Sequence, residues 1–179
     1  SSKNGHLAVI IRLLADNRVD PAAADNKAIR LACQNGHYHA VNRLLTDKRV
    51  NPAAKDNYAI RLAADQGYLS IVNRLLADAR VDPAADDNYA IQVASQAGHL
   101  DVVNRLLEDV RVDPAADDNN AIQSASENNM LLVVKRLMKD KRVNPAANDN
   151  TSFIVAALQS HTDVAEQLLR DRRVDPTAV

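Results

Sequence analysis

Among its 179 residues the sequence has one cysteine, one phenylalanine, four tyrosines and no tryptophan. With Cys33 alone, no intrachain disulfide can form, which fits a reducing compartment. Aromatics make up 3% of the chain, too few to supply base-stacking platforms, so single-stranded nucleic acid is excluded as an expected partner. The net charge of −1 gives no bulk attraction to duplex nucleic acid or to an anionic membrane. No apolar run approaches the ~20 residues of a membrane span, and residues 1–6 lack the charged-then-apolar pattern of a signal peptide. These absences predict a soluble, intracellular protein, cytoplasmic by default, with no nucleic acid and no membrane among its partners. What is present, 46% hydrophobic and 25% charged residues, is enough to build a core and argues against disorder.

Glycine and proline are also scarce, and their placement is periodic. The six prolines, Pro21, Pro52, Pro83, Pro114, Pro145 and Pro176, stand 31 residues apart. Gly5, Gly36, Gly67 and Gly98 keep the same period, and Asn129 and Ser160 occupy the next two glycine slots. An unbroken period of this length is the mark of a stacked repeat array. The chain reads as a single array over 1–179. Residues 1–17 form a partial repeat with a second helix only, 18–48, 49–79, 80–110, 111–141 and 142–172 are full repeats, and 173–179 start another.

One unit, 80–110, shows the local logic. Pro83 fixes its own φ and restricts Asp82, which makes a turn. Asp87 or Asn88 is placed to cap a helix by accepting a backbone N–H bond. Ile91, Ala94 and Ser95 give that helix an apolar, small-residue face, and Gly98 can take the left-handed conformation that ends it. Leu100, Val103, Leu106 and Leu107 then stripe a second helix. Each helix is below the ~12–15 residues needed for marginal stability alone, so stability has to come from stacking. Leu44, Leu75, Leu106, Leu137 and Leu168 form one expected ladder, and Val41, Val72, Val103 and Val134, ending in Ala165, form another. A small slot, Cys33, Ala64, Ser95, Ser126 and Ala157, lets neighbouring first helices approach.

The run from Ile60 through Arg61-Leu62-Ala63-Ala64-Asp65-Gln66-Gly67-Tyr68-Leu69-Ser70-Ile71 to Val72 resembles the ankyrin repeat core, in which a leucine-histidine-x-alanine-alanine helix leads into glycine-histidine-leucine. The resemblance covers essentially the whole chain and recurs five times in full. Two departures stand out. Tyr58-Ala59-Ile60-Arg61 replaces the family's threonine-proline-leucine-histidine, and the period is shorter than the usual 33. The shortfall falls in the β-hairpin region. The implied fold is all-α: an ankyrin-like helix-turn-helix solenoid with shortened hairpin or turn fingers.

No constellation for chemistry stands apart from the repeat. His6, His37, His99 and His161 share one slot with Tyr68 and Met130, which is a packing position rather than a metal or base site. His39, two residues from His37, points away from it on a helix. Cys33 shares a slot with alanine and serine, as an inert core thiol would. The acidic turns lack the spacing and distal glutamate of a calcium loop. Asn150-Thr151-Ser152 matches a glycosylation sequon by chance, since Asn150 holds the slot of Asn88. No catalytic residue, cofactor or metal is expected, and the chain is read as no enzyme. Arg43, Arg74, Arg105 and Arg136 make a basic ladder that Arg12 extends, and Asp47, Asp78, Asp109, Asp140 and Asp171 follow four residues later on the same helix. They form i, i+4 pairs or, alternatively, a phosphate-binding strip.

Within the repeat, slots that vary are free for recognition. These are the turn and first-helix positions Lys27, Arg30, Lys55, Tyr58, Arg61, Asp65, Asp86, Tyr89, Gln92, Gln96, Asp117, Asn120, Gln123 and Glu127, which the ankyrin resemblance places on a concave partner-binding face. Tyr58 and Tyr89 are the leading hot-spot candidates. Lys27, Arg30, Lys55 and Arg61 lie toward the N-terminal end and Asp86, Asp117 and Glu127 toward the other, which predicts a partner bound with fixed polarity. The reading is a protein–protein interaction scaffold with a protein partner. Two alternatives are a self-associating stack and a regulatory repeat segment of a larger protein. End-to-end self-association is expected because Val9, Ile10, Leu13 and Leu14 at one end, and Phe153, Ile154 and Leu158 at the other, look uncapped. The alternative to self-association is that Ser1 and Val179 simply fray and the exposed apolar area is tolerated.

Overall fold

The computed structural model describes residues 2–177, with side chains from residue 7 onward, so the expectations for Ser1, Val179 and the His6 side chain lie outside the described residues. The described residues form eleven helices and no strand. Contacts divide the chain into two compact units, with the boundary between Asp82 and Pro83. The first unit holds α1 (Ser2–Ala15), α2 (Ala23–Gln34), α3 (Tyr38–Leu44), α4 (Ala54–Asp65) and α5 (Leu69–Leu76). The second holds α6 (Ala85–Gln96), α7 (Leu100–Leu107), α8 (Ala116–Glu127), α9 (Leu131–Leu137), α10 (Ala147–Leu158) and α11 (Thr162–Leu168). Within each unit a first helix packs on its own second helix and on the next first helix: α2 on α3 and α4, α6 on α7 and α8, α8 on α9 and α10. The all-α, helix-on-helix stacking expected from the sequence is the observed architecture. The first helix, α1, begins at Ser2 and runs through Gly5 to Ala15.

The core is built from the expected slots. Leu44, Leu75, Leu106, Leu137 and Leu168 are buried, as are Val41, Val72, Val103 and Val134. Cys33, Ala64, Ser95 and Ser126 are fully buried where the first helices meet. Helices of seven or eight residues such as α3 and α7 are stable only because these faces leave water. Burying one leucine side chain contributes about 1.5–3 kcal/mol.

Each full first helix opens with three residues in the left-handed region. In α6 these are Asp86, Asp87 and Asn88, at φ 56, 51 and 62. The same happens at Ala24–Asn26, Lys55–Asn57, Asp117–Asn119 and Asn148–Asn150. Aspartate and asparagine tolerate this region better than other L-residues because their short polar side chains bond locally. The asparagine that closes the turn does not cap its own helix, contrary to the sequence expectation. Its Oδ1 accepts a backbone N–H from 25 residues ahead: Asn51 bonds to Asn26, Asp82 to Asn57, Asp113 to Asn88, Asn144 to Asn119 and Asp175 to Asn150, at 2.6–2.9 Å. These bonds tie each repeat to the turn of the next.

A second tie replaces the expected i, i+4 arginine–aspartate pairs. Helix α3 ends at Leu44, so Asp47 lies past the end of the helix that carries Arg43, and the i, i+4 geometry lapses. Asp47 instead takes Arg49 in a two-point contact (Nε–Oδ1 3.0 Å, Nη2–Oδ2 2.6 Å). Asp16–Arg18, Asp78–Arg80, Asp109–Arg111, Asp140–Arg142 and Asp171–Arg173 repeat it. The arginine also reaches back thirty residues. Arg49 donates to the Val19 carbonyl, Arg80 to Val50, Arg142 to Val112 and Arg173 to Val143. The arginines at the former ladder positions do other work: Arg74 Nε donates to Asn42 Oδ1 at 2.8 Å, and Arg136 Nε to Asn104 Oδ1 at 2.7 Å.

Candidate functional site

The varying slots fall where the left-handed turn meets the first helix, so the turn decides what each side chain can do. In the first unit the guanidinium of Arg30 donates to the carbonyls of Asp25 and Ala24, both at 3.0 Å, and Arg61 donates to that of Lys55 at 3.0 Å. In the second unit Gln92 donates to Asp87 and Gln123 to Asp118. The slot therefore closes the turn, and a glutamine amide closes it as well as an arginine does. Ile154 has no donor for this role, and there the Thr151 hydroxyl bonds the Asn148 carbonyl from within the turn.

Around this lock the first unit gathers a charged, aromatic cluster. The Tyr58 ring has Arg30 at 5.8 Å and Arg61 at 5.0 Å from its centroid. Contacts of this kind are each worth ~0.5–1 kcal/mol at exposed sites. Lys55 pairs with Asp25 at 3.3 Å, Lys27 is exposed, and Asp65 accepts a bond from the Gln66 amide. Tyr58 itself stays 37% exposed. In the second unit Tyr89 is 42% exposed, and Asp86, Gln96, Asp117 and Glu127 are also exposed. Asn120 bonds Asp117 and accepts from Ser124. Gln92 departs from expectation. It is buried, with its amide used on the Asp87 carbonyl, so it is not displayed on the surface. The turn-closing role of Arg30, Arg61, Gln92 and Gln123 was missed from sequence, although four donors in one slot was the available signal.

Of the residues set aside as chemically inert, Cys33 is buried, whereas His37 and His39 are exposed. Burial pushes the Cys33 thiol up to about 12, far from a reactive thiolate. The histidine slot begins the second helices. There Tyr68 lies over Gly36, Met130 lies over Gly98, and the His161 Nδ1 is 3.0 Å from the Ser126 carbonyl oxygen. Among the described residues no group of three or more His, Cys, Asp or Glu side chains is arranged to hold a metal, and no helix is long and apolar enough to cross a membrane.

Comparison with curated proteins finds no match. A family model described as ankyrin repeats (3 copies) matches residues 60–147 and 91–179, well over half of the chain. Ankyrin repeats are generally protein–protein interaction modules, typically non-enzymatic. A matching family model, all-helical repeats and helix pairs stacked through small-residue faces agree: the chain belongs to the ankyrin repeat family.

Proposed function

We infer that the turns and first helices of each unit form a protein-binding face, with Tyr58 and Tyr89 as its anchors. The observation that carries this reading is the Arg30–Tyr58–Arg61 cluster. The fold needs only a hydrogen-bond donor in the arginine slot, since glutamine fills it in the second unit, so the two guanidinium charges are surplus to folding. Surplus charge flanking a half-exposed aromatic is the composition of an interface centre, where tyrosine and arginine are enriched. The face of the first unit carries Lys27, Arg30, Lys55 and Arg61, and that of the second carries Asp86, Asp117 and Glu127. A partner with an acidic and a basic segment fits this distribution, and its association rate falls as salt screens charges over ~8–10 Å.

A pull-down comparing the native chain with a Tyr58→Ala/Tyr89→Ala variant tests the reading. Both rings are substantially exposed, and lysine, asparagine and threonine stand in the same slot elsewhere, so the variant should stay folded and lose only the few degrees that the Arg30 and Arg61 contacts with Tyr58 contribute. Each substitution should weaken a captured partner by about 1–2 kcal/mol. Partners retained in full by a folded variant would remove the face from consideration.

Self-association is a second reading with its own support. Ala28 and Leu31 are exposed, whereas Ala59, Ala90 and Ala121 in the slot of Ala28 are buried. With Ile10, Leu13 and Leu14 they line an open apolar groove of about 400 Å³ in the first unit. In the second unit Leu158 and Leu169 are exposed, while Phe153, expected to be uncapped, is buried. Sedimentation over a wide concentration range is the check, and a strict monomer throughout dismisses it.

A further inference from the structure

Between α9 and α11 the second unit has an open cleft of about 440 Å³ lined by Lys135, Met138, Lys139, Gln167, Arg170 and Asp171. Its origin lies in a substitution of the repeat. At the equivalent places Arg74 reaches Asn42 and Arg136 reaches Asn104, and these bonds lie across the junction between successive second helices. In the last pair of helices Lys135 stands where asparagine would be and Gln167 where arginine would be. The bond is lost, and the Gln167 amide turns to the Met138 sulfur at 3.6 Å. The arginine–asparagine lock is thus replaced by an opening with cationic walls.

The charge of those walls is unbalanced. Asp171 is the one carboxylate lining the cleft, and both of its oxygens are held by Arg173, at 2.9 and 2.7 Å. Lys135, Lys139 and Arg170 are exposed, and none of them takes part in an ion pair among the described residues. In the preceding repeats the slot of Lys139 holds Ala15, Thr46, Ala77 and Glu108, so the fold does not require a cation there, and the next repeat places Arg170 in it. Three like charges brought to one cleft repel each other unless an anion joins them.

We propose that this cleft binds a small polyphosphate, a molecule carrying two or more adjacent phosphate groups. The guanidinium of Arg170 offers a fork that matches phosphate oxygens, and the ammonium groups of Lys135 and Lys139, from the α9 side, supply point charges. Three cations call for more negative charge than a single carboxylate or orthophosphate provides. The site is separate from the first-helix face and does not depend on the function proposed for it.

Inorganic tripolyphosphate, titrated calorimetrically into the native chain at low ionic strength, is the probe. One saturable site is expected, with orthophosphate binding more weakly. The decisive variant is Lys135→Asn/Gln167→Arg, which rebuilds the lock seen at Arg74–Asn42 and Arg136–Asn104 and leaves the net charge unchanged. It should melt like the native chain and bind tripolyphosphate about tenfold or more weakly. Arg170→Ala and Arg172→Ala form a second comparison, equal in charge but with only Arg170 lining the cleft, so the first should lose binding and the second should keep most of it. The proposal is overturned if the native chain shows no saturable binding, if a folded lock-restoring variant binds equally well, or if Arg172→Ala weakens binding as much as Arg170→Ala.

Discussion

The Oδ1 of Asn88 accepts the backbone N–H of Asp113 at 2.8 Å, and the side chain is buried between two repeats although Asp86 and Asp87 beside it are exposed. From sequence the same residue reads as a helix cap, because asparagine before an apolar helical stripe satisfies both roles equally. What separates them is reach, and reach is decided by the neighbouring repeat, which a local reading does not contain. The constancy of asparagine at 26, 57, 88, 119 and 150 was legible, since a cap would accept serine, threonine or aspartate in its place. A substitution distinguishes the roles. Asn88→Ala should destabilise by about 1–3 kcal/mol by leaving a partly buried N–H without its acceptor. Asn88→Ser should cost nearly as much, because the serine hydroxyl is too short to reach the next repeat and serine tolerates the left-handed region less well. Urea denaturation of the three proteins reads this directly, and a serine variant as stable as the native chain would restore the capping role.

Element by element, the helices were legible where one slot has one job. The leucine slot holds leucine in every second helix from Leu44 to Leu168, and the structure buries all five. Leu106→Ala should therefore cost ~2–5 kcal/mol by opening a cavity in the leucine ladder, measured by chemical denaturation. Gly98 was legible only in part. Its left-handed φ of 76 was expected from its place after a helix, but a Cβ there would also collide with the Met130 sulfur. The second constraint comes from the following repeat, and periodicity alone does not show which side chain covers which glycine. Asn129 and Ser160 hold the same slot at φ 60 and 61, so the backbone conformation by itself admits other residues. Gly98→Ala should cost about 2–4 kcal/mol, combining the left-handed penalty with overpacking. Adding Met130→Ala should return part of that loss, and a double-mutant cycle measures how much. Strict additivity would mean that Met130 does not press on the glycine.

Across the whole molecule the aspartate–arginine clamps couple stability to pH. Arg49 holds the Asp47 carboxyl down at about 2, chiefly by hydrogen bonding, and the partner arginine lowers Asp16, Asp78, Asp109, Asp140 and Asp171 in the same way. An unfolded aspartate titrates near ~3.9. A carboxylate depressed in the folded state contributes stability that is complete above the unfolded value and is lost as pH falls through the folded one. The clamps should therefore leave stability flat from pH 7 to about 5, and release it between about 4 and 2. Because the clamp recurs from Asp16 to Asp171, protonation loosens both units over the same narrow interval. It also frees Arg49, Arg80, Arg142 and Arg173 from the geometry in which they reach the preceding repeat's valine carbonyl. Urea midpoints taken from pH 7 down to 2.5 should show a plateau followed by a steepening fall. Arg142→Gln should lower the plateau slightly and make the acid limb shallower, since Asp140 then loses the side-chain hydrogen bonds that do most to lower its carboxyl. An acid limb of unchanged slope in that variant would show that the clamp does not couple folding to proton binding.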